Sequence, residues 1–301
     1  MHLPGLRTIG SSAFAIALVT VCALGAANAS SNTSRPGAPN GGDSKYRDIP
    51  LDASRTNQLS TKADDLGRLL GFKPGAKHSG RHVSDPQAGE EFDEIETSDD
   101  AGPVSAIRFD GSDQLSGVVT FEQPATPSDR ANQGQAESVA RRAMALVGFK
   151  VQGSPELSQD RSTYGWTVQW QRQQAGRTVI GDAVVIHVFP NGQIESMSRS
   201  EHPLAAEPAK TLTKAEATQW AATHLASLTS SSAKYTLMSL TLAWASPNQE
   251  FDANRPLDPA GTKRLCWVAS YQDLTDSLDA VQILLNIDAG DGSLLGGGVV
   301  G

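Results

Sequence analysis

The stretch Tyr164-Gly-Trp166-Thr-Val168-Gln-Trp170, with Val179-Ile-Gly-Asp-Ala-Val-Val-Ile-His-Val-Phe189, Pro190-Asn191-Gly192 and Ile194 to Arg199 after it, decides the fold. Tyr164 to Trp170 alternates strictly, so a strand here gives one aromatic, buried face. Val179 to Phe189 reads as a second strand. Asn191-Gly192 is a strong hairpin signal, because both residue types tolerate the positive φ that a tight turn demands. Ile194 to Arg199 is then the return strand. His187 falls out of phase with Val184, Ile186 and Val188 and reads as an ordinary strand residue.

The flanking sequence repeats this plan, with a helix ahead of each group of strands. Thr213-x-x-Glu216 is a capping box. Ala217, Trp220, Ala221, His224, Leu225 and Leu228 then fall on one helical face. A second helix is predicted over 135–147, with Ala136, Val139, Ala140, Ala143 and Val147 sharing a face and Gly148 as its stop. A third is predicted over 62–70, capped by Thr61, with Leu66, Leu69 and Leu70 as its apolar stripe and Gly71 as its stop. The two helix ends echo each other, Leu69-Leu70-Gly71-Phe72-Lys73 against Leu146-Val147-Gly148-Phe149-Lys150. Val104 to Phe109 and Leu115 to Phe121 flank the turn Asp110-Gly111-Ser112-Asp113. Tyr235 to Trp244, Leu265 to Tyr271, Val281 to Ile287 and Leu294 to Val300 complete the strands. Short strands joined by tight turns imply antiparallel pairing. The expected fold class is α+β, with repeated units of one helix packed on a small antiparallel sheet, over 61–125, 128–205 and 206–301.

Residues 1–29 read as a secretory signal peptide. Arg7 supplies the positive start, an apolar run covers Ala13 to Val21, and Ala27-Asn28-Ala29 is a small-x-small cleavage pattern. Cleavage is expected after Ala29, which makes the chain secreted or extracytoplasmic. The apolar run is shorter than the ~20 residues a membrane span needs, so no stable span is expected after cleavage. A lipoprotein reading through Cys22 is disfavoured by the large Val21 before it. Removing Arg7 takes the net charge from −8 to −9, an acidic balance that points away from nucleic acid. Cys266 is then the one cysteine left, so the expected mature core is held by packing without an internal disulfide. Residues 30–60, rich in Ser, Asn, Pro, Gly and Asp, are expected to be a disordered linker.

The middle and last units resemble the FTP and PepSY domains found in propeptides of thermolysin-like and fungalysin-like metalloproteases, and in stand-alone exported proteins. Trp166-Thr-Val-Gln-Trp170, Gly176-x-x-Val179-x-Gly181-Asp182-x-Val184-x-Ile186-x-Val188 and Asn191-Gly192-x-Ile194-x-Ser196 are similar to the family's strand and hairpin pattern. Leu212-Thr213-Lys214-Ala215-Glu216-Ala217 resembles the opening of a PepSY helix, and Trp267-Val268 with Ile287-Asp288-Ala289-x-x-Gly292 its close. The match covers about 130–301; residues 61–125 share only the general plan. The resemblance implies a module that assists or blocks a partner protease. The sequence holds no H-E-x-x-H, so that role would act in trans.

Other candidate chemistry reads as structure. His78 and His82 stand i,i+4 apart, but Pro74, Gly75 and Gly80 around them predict a loop. The eight acids between Asp85 and Asp100 lack EF-hand spacing and predict a solvated acidic loop. Gly296-Gly297-Gly298-Val299-Val300-Gly301 matches G-x-G-x-x-G in letters only, because a dinucleotide site needs a helix after it. Cys266 reads as a small buried hydrophobe. No catalytic, cofactor-binding or metal residues are expected, and no cofactor. The expected function is a non-enzymatic exported module that binds and modulates an extracellular peptidase or cell-envelope protein. The alternative is a sensor of a small molecule or cell-wall fragment in a groove lined by Trp166, Trp170, Trp220, Trp244 and Trp267.

Overall fold

A computed structural model describes residues 47–85, 90–124, 130–229, 235–256, 258, 260–273 and 281–300. The expected signal peptide over 1–29, its expected cleavage after Ala29 and the first part of the expected linker over 30–60 lie outside the described residues. The chain runs β1 (Arg47–Pro50), α1 (Ala53–Leu70), β2 (Lys77–Asp85), β3 (Glu90–Asp99), β4 (Gly102–Phe109), β5 (Leu115–Thr120) and α2 (Gln133–Val147). It continues β6 (Glu156–Gln159), β7 (Trp166–Gln174), β8 (Arg177–Val188), β9 (Ile194–Arg199) and α3 (Lys214–Leu228). The last strands are β10 (Tyr235–Ala245), β11 (Arg264–Asp273), β12 (Gln282–Asp288) and β13 (Leu294–Val300). Among the described residues no helix is long and apolar enough to cross a membrane.

The strands join in one 13-stranded mixed sheet, in the order β1-β2-β3-β4-β5-β9-β8-β10-β11-β12-β13, with β7 and then β6 branching from β8. This overturns the expected fold class of repeated helix-on-small-sheet units. The reason lies at β5 and β9. As the last strands of separate small sheets, each would expose a row of unpaired backbone groups. Instead they pair with each other, Gly117 opposite Ser198, Val118 opposite Met197 and Val119 opposite Ser196. Val118 and Met197 are both buried there, so α1 and α2 cover one shared core rather than two. That core sets Leu59 and Ala63 of α1, and Ala136, Ala140 and Ala143 of α2, over Ile95, Ile107, Phe109, Trp170 and Ile186. A parallel contact, Trp244 opposite Val179, carries the sheet from β8 into β10. Beyond it, Ala217, Ala221 and Leu225 of α3 cover a second core with Leu240, Ala269, Leu285 and Ile287.

The helix caps divide into expected and missed. Thr213 and Glu216 form the capping box their spacing predicts. Gly71 and Gly148 end α1 and α2 in the left-handed conformation, at φ 80° and 76°. However, α1 begins at Ala53 rather than at 62, and its cap is Asp52, which accepts from the Arg55 backbone N–H at 2.8 Å. The linker reading therefore fails over 47–60, which hold β1 and the first turns of α1. Polar residues hid this part of the helix, since Leu59 is the one large apolar residue between Ala53 and Thr61.

Two predicted loops are strands. His78 and His82 lie on β2, and the acidic run from Glu90 to Asp99 is β3. Neighbouring cations make the acids tolerable in a sheet. Glu94 is buried and bonded by both Arg81 and Arg108, with Arg108 Nε at 2.7 Å. Asp93 accepts from Arg55 Nε at 2.8 Å and lies 2.8 Å from His82 Nδ1.

Candidate functional site

A groove of about 760 Å³ opens where the ends of α1 and α2 meet the sheet. Glycine caps shape it. Gly71 reverses the chain so that the Phe72 N–H reaches Gly67 O at 2.8 Å, and the Phe149 N–H reaches Met144 O at 2.9 Å after Gly148. Each reversal turns a phenylalanine towards the core and leaves the preceding leucine outside. Leu69 and Leu146, equivalent positions of the sequence echo, are 52% and 47% exposed, and both line the groove. Phe189, just after β8, and Ile194, at the start of β9, also line it and give it apolar surface. Leu69 was expected on the buried stripe of its helix; it belongs to this surface instead.

The rim is polar and mainly basic. Arg68, Lys73 and Arg142 line it with Glu122. Lys73 Nζ lies 2.9 Å from Asp99 and 3.2 Å from Glu122. The bond to Asp99, and then that to Glu122, raises the lysine's pKa; the same lysine pulls Asp99 down. Arg142 is exposed and has no ion-pair partner among the described residues, so its guanidinium can meet a carboxylate from outside.

A second cluster is buried. Asp182 on β8 is fully buried and accepts from His202 Nδ1 at 2.6 Å, the His202 backbone N–H at 2.8 Å and Arg172 Nη1 at 2.8 Å. Lys263 Nζ stands 3.3 Å away and donates to Ser246 Oγ at 3.2 Å. Burial pushes the Asp182 carboxyl up, but the bonds from His202, Lys263 and Arg172 outweigh it and hold the group below its ordinary range. Lys263 is shifted down by burial, against the pull of Asp182. The cluster ties β8 to the segment after β9 and to the start of β11, beside the contact that joins the two parts of the sheet. None of its members lines the groove. Its geometry suits a structural joint, because every ligand of the carboxylate comes from the chain itself. The signal was available: Asp182 sits in phase with Val184, Ile186 and Val188, the buried side of β8.

The tryptophans do not share a groove. Trp166 and Trp170 pack in the first core, Trp244 and Trp267 in the cluster beside the joint, and Trp220 is exposed on α3, stacked on His224. This removes the Trp-lined reading. His78 meets Asp64 at 2.9 Å and His82 meets Asp93, each with its own carboxylate. Four residues apart on a strand, they stand about 13 Å apart and cannot share an ion. Among the described residues no three His, Cys, Asp or Glu side chains gather as a metal site would require. Cys266 is fully buried, and burial pushes its thiol up to about 12, far from a thiolate. His187 lies 3.0 Å from Thr167 Oγ1, and burial shifts its pKa down.

No family model and no curated protein matches the chain. Among solved structures it is distantly similar to the Bacillus megaterium YpeB C-terminal domain, with 14% identity, a TM-score of 0.36, and coverage of 84% of this chain and 99% of that one. A likeness this distant leaves the family resemblance resting on the residues that carry it.

Proposed function

We propose that the chain is an exported, non-enzymatic module that binds and modulates another protein, an extracellular peptidase or a cell-envelope protein, through the groove between α1 and α2. One observation supports this most. Two leucines at equivalent helix ends stand half out of the surface, in a groove with further apolar lining, beside a basic rim. Exposing large apolar side chains together is costly unless something covers them. The groove suits an amphipathic segment whose apolar side chains enter between Leu69 and Leu146 and whose carboxylate meets Arg142. The propeptide resemblance agrees with such a role.

The test is retention of a partner from the medium or envelope fraction, followed by peptidase assays at micromolar concentration. Leu69→Asp and Leu146→Asp are expected to abolish retention with unchanged folding, because both side chains are exposed. Retention by both variants at the wild-type level would refute the groove. Failure of the wild type to retain any protein or slow any peptidase would refute the function itself.

A further inference from the structure

The sheet has several edges, and most are protected. β1 is four residues long, with Arg47, Asp48 and Pro50 among them. β6 is also four residues and begins with Glu156. The outer side of β13 is engaged by Asn248, whose backbone N–H donates to Leu295 O at 3.0 Å. Its side-chain amide donates to Gly297 O at 2.7 Å and accepts from the Gly297 N–H at 3.0 Å. Short length, charge, proline and a covering side chain are the usual means of blunting an edge.

β10 has little of this. It is eleven residues long, and Tyr235 to Ala245 carries no charge and no proline. One side pairs with β11 along its length. On the other side its strand contact is Trp244 with Val179 of β8, at the far end. Among the described residues, no strand pairs with Thr236–Leu242 on that side.

The free part is a palindrome in outline: Thr236-Leu237-Met238-Ser239-Leu240-Thr241. A bulge at Met238, which has no partner on β11, lies at its centre. Because of the bulge, Leu237 and Leu240 both belong to the α3 core, while Thr236 and Thr241 are both exposed. We infer that β10 pairs with β10 of a second copy of this chain, antiparallel about a two-fold axis at Met238 and Ser239. In that register Thr236 faces Thr241 of the other copy, and Leu237 faces its Leu240. Thr meets Thr and Leu meets Leu on the correct face of the sheet, Met238 faces Ser239 at the axis, and the two bulges lie side by side there. Cross-strand pairs of like β-branched and aliphatic residues support an antiparallel ladder, and a two-fold contact of this kind is isologous and closed. A charged partner strand would gain nothing from so neutral an edge, whereas an identical strand meets no repulsion.

Sedimentation velocity and light scattering on the purified chain, over a concentration series, test this. The wild type is expected to pass from monomer to dimer as concentration rises. The double variant Thr236→Lys/Thr241→Lys is expected to be monomeric throughout, with unchanged circular dichroism, because it sets lysine directly opposite lysine at both ends of the two-fold ladder. Thr236→Glu/Thr241→Lys instead sets Glu opposite Lys at both ends and is expected to dimerise. The control Thr223→Lys, on the exposed side of α3, is expected to dimerise like the wild type. A wild type that stays monomeric at every concentration would overturn the inference. So would a Thr236→Lys/Thr241→Lys variant that dimerises normally, or a Thr236→Glu/Thr241→Lys variant that stays monomeric. The groove lies on α1 and α2, so the outcome is independent of partner retention there.

Discussion

Asp182 shows how one residue can hold a large sheet together. Its carboxylate is fully buried and bonded by three neighbouring residues, so removing its charge strands Lys263 in a site already costly for an ammonium. Asp182→Asn is expected to destabilise the chain by about 3–5 kcal/mol in urea unfolding, the usual cost of breaking a buried pair from one side. Asp182→Leu combined with Lys263→Met is expected to cost less than Asp182→Asn, since it removes both charges together. The pH dependence follows from the direction of the shift. The folded carboxyl lies below its unfolded value of about 3.9, so its stabilisation is complete above that value. It is lost as pH falls through the unfolded and then the folded value. The urea midpoint of the wild type is therefore expected to fall on acidification through this range, and that of Asp182→Asn to fall less. The burial of Asp182 could be read from its phase in β8. Its ligands could not, because His202 and Lys263 reach it from distant parts of the chain.

At the scale of elements, local chemistry was legible where a cap or a turn residue announced it. Thr213 with Glu216, Gly71, Gly148 and Asn191-Gly192 all stand where such residues end or turn a chain. The misreadings share a cause. Ala53 to Thr61 and the acids of β3 look like solvent-exposed chain, since their partners come from other elements: Arg55 with Asp93, and Arg81 and Arg108 with Glu94. Tertiary pairing overrode local propensity in both. β13 gives a sharper test of an element. Gly297 adopts φ 156°, and a Cβ there would collide with Leu284 O and the Phe251 ring. The glycine run that imitates a nucleotide motif is thus where 248–251 lies against the sheet. Gly297→Ala is expected to destabilise the chain by more than about 1 kcal/mol and to lower the melting temperature, whereas Gly298→Ala, with open space at its Cβ, is expected to be mild.

At the scale of the whole molecule, the three helices and the strands from β4 onward, apart from β6, were visible in the sequence, but their assembly was not. Nothing in β5 or β9 alone says that they pair, because an edge strand and an internal strand have the same alternation. The pairing places α1 and α2 side by side, and that placement creates the groove. The echo of Leu69 and Leu146 was legible; its meaning needed the shared sheet. The two parts of the sheet meet at Trp244 with Val179 and at Asp182, so hydrogen exchange is expected to report the joint. Amides of β8 and β11 near Asp182 are expected to lose protection in Asp182→Asn before those around Ile186 and Met197 do. The groove is tested most directly by partner capture with the wild type beside Leu69→Asp and Leu146→Asp, all three matched for melting temperature. Capture of one protein by the wild type, lost in both variants, is the expected result. Equal capture by all three would contradict the groove as the binding surface.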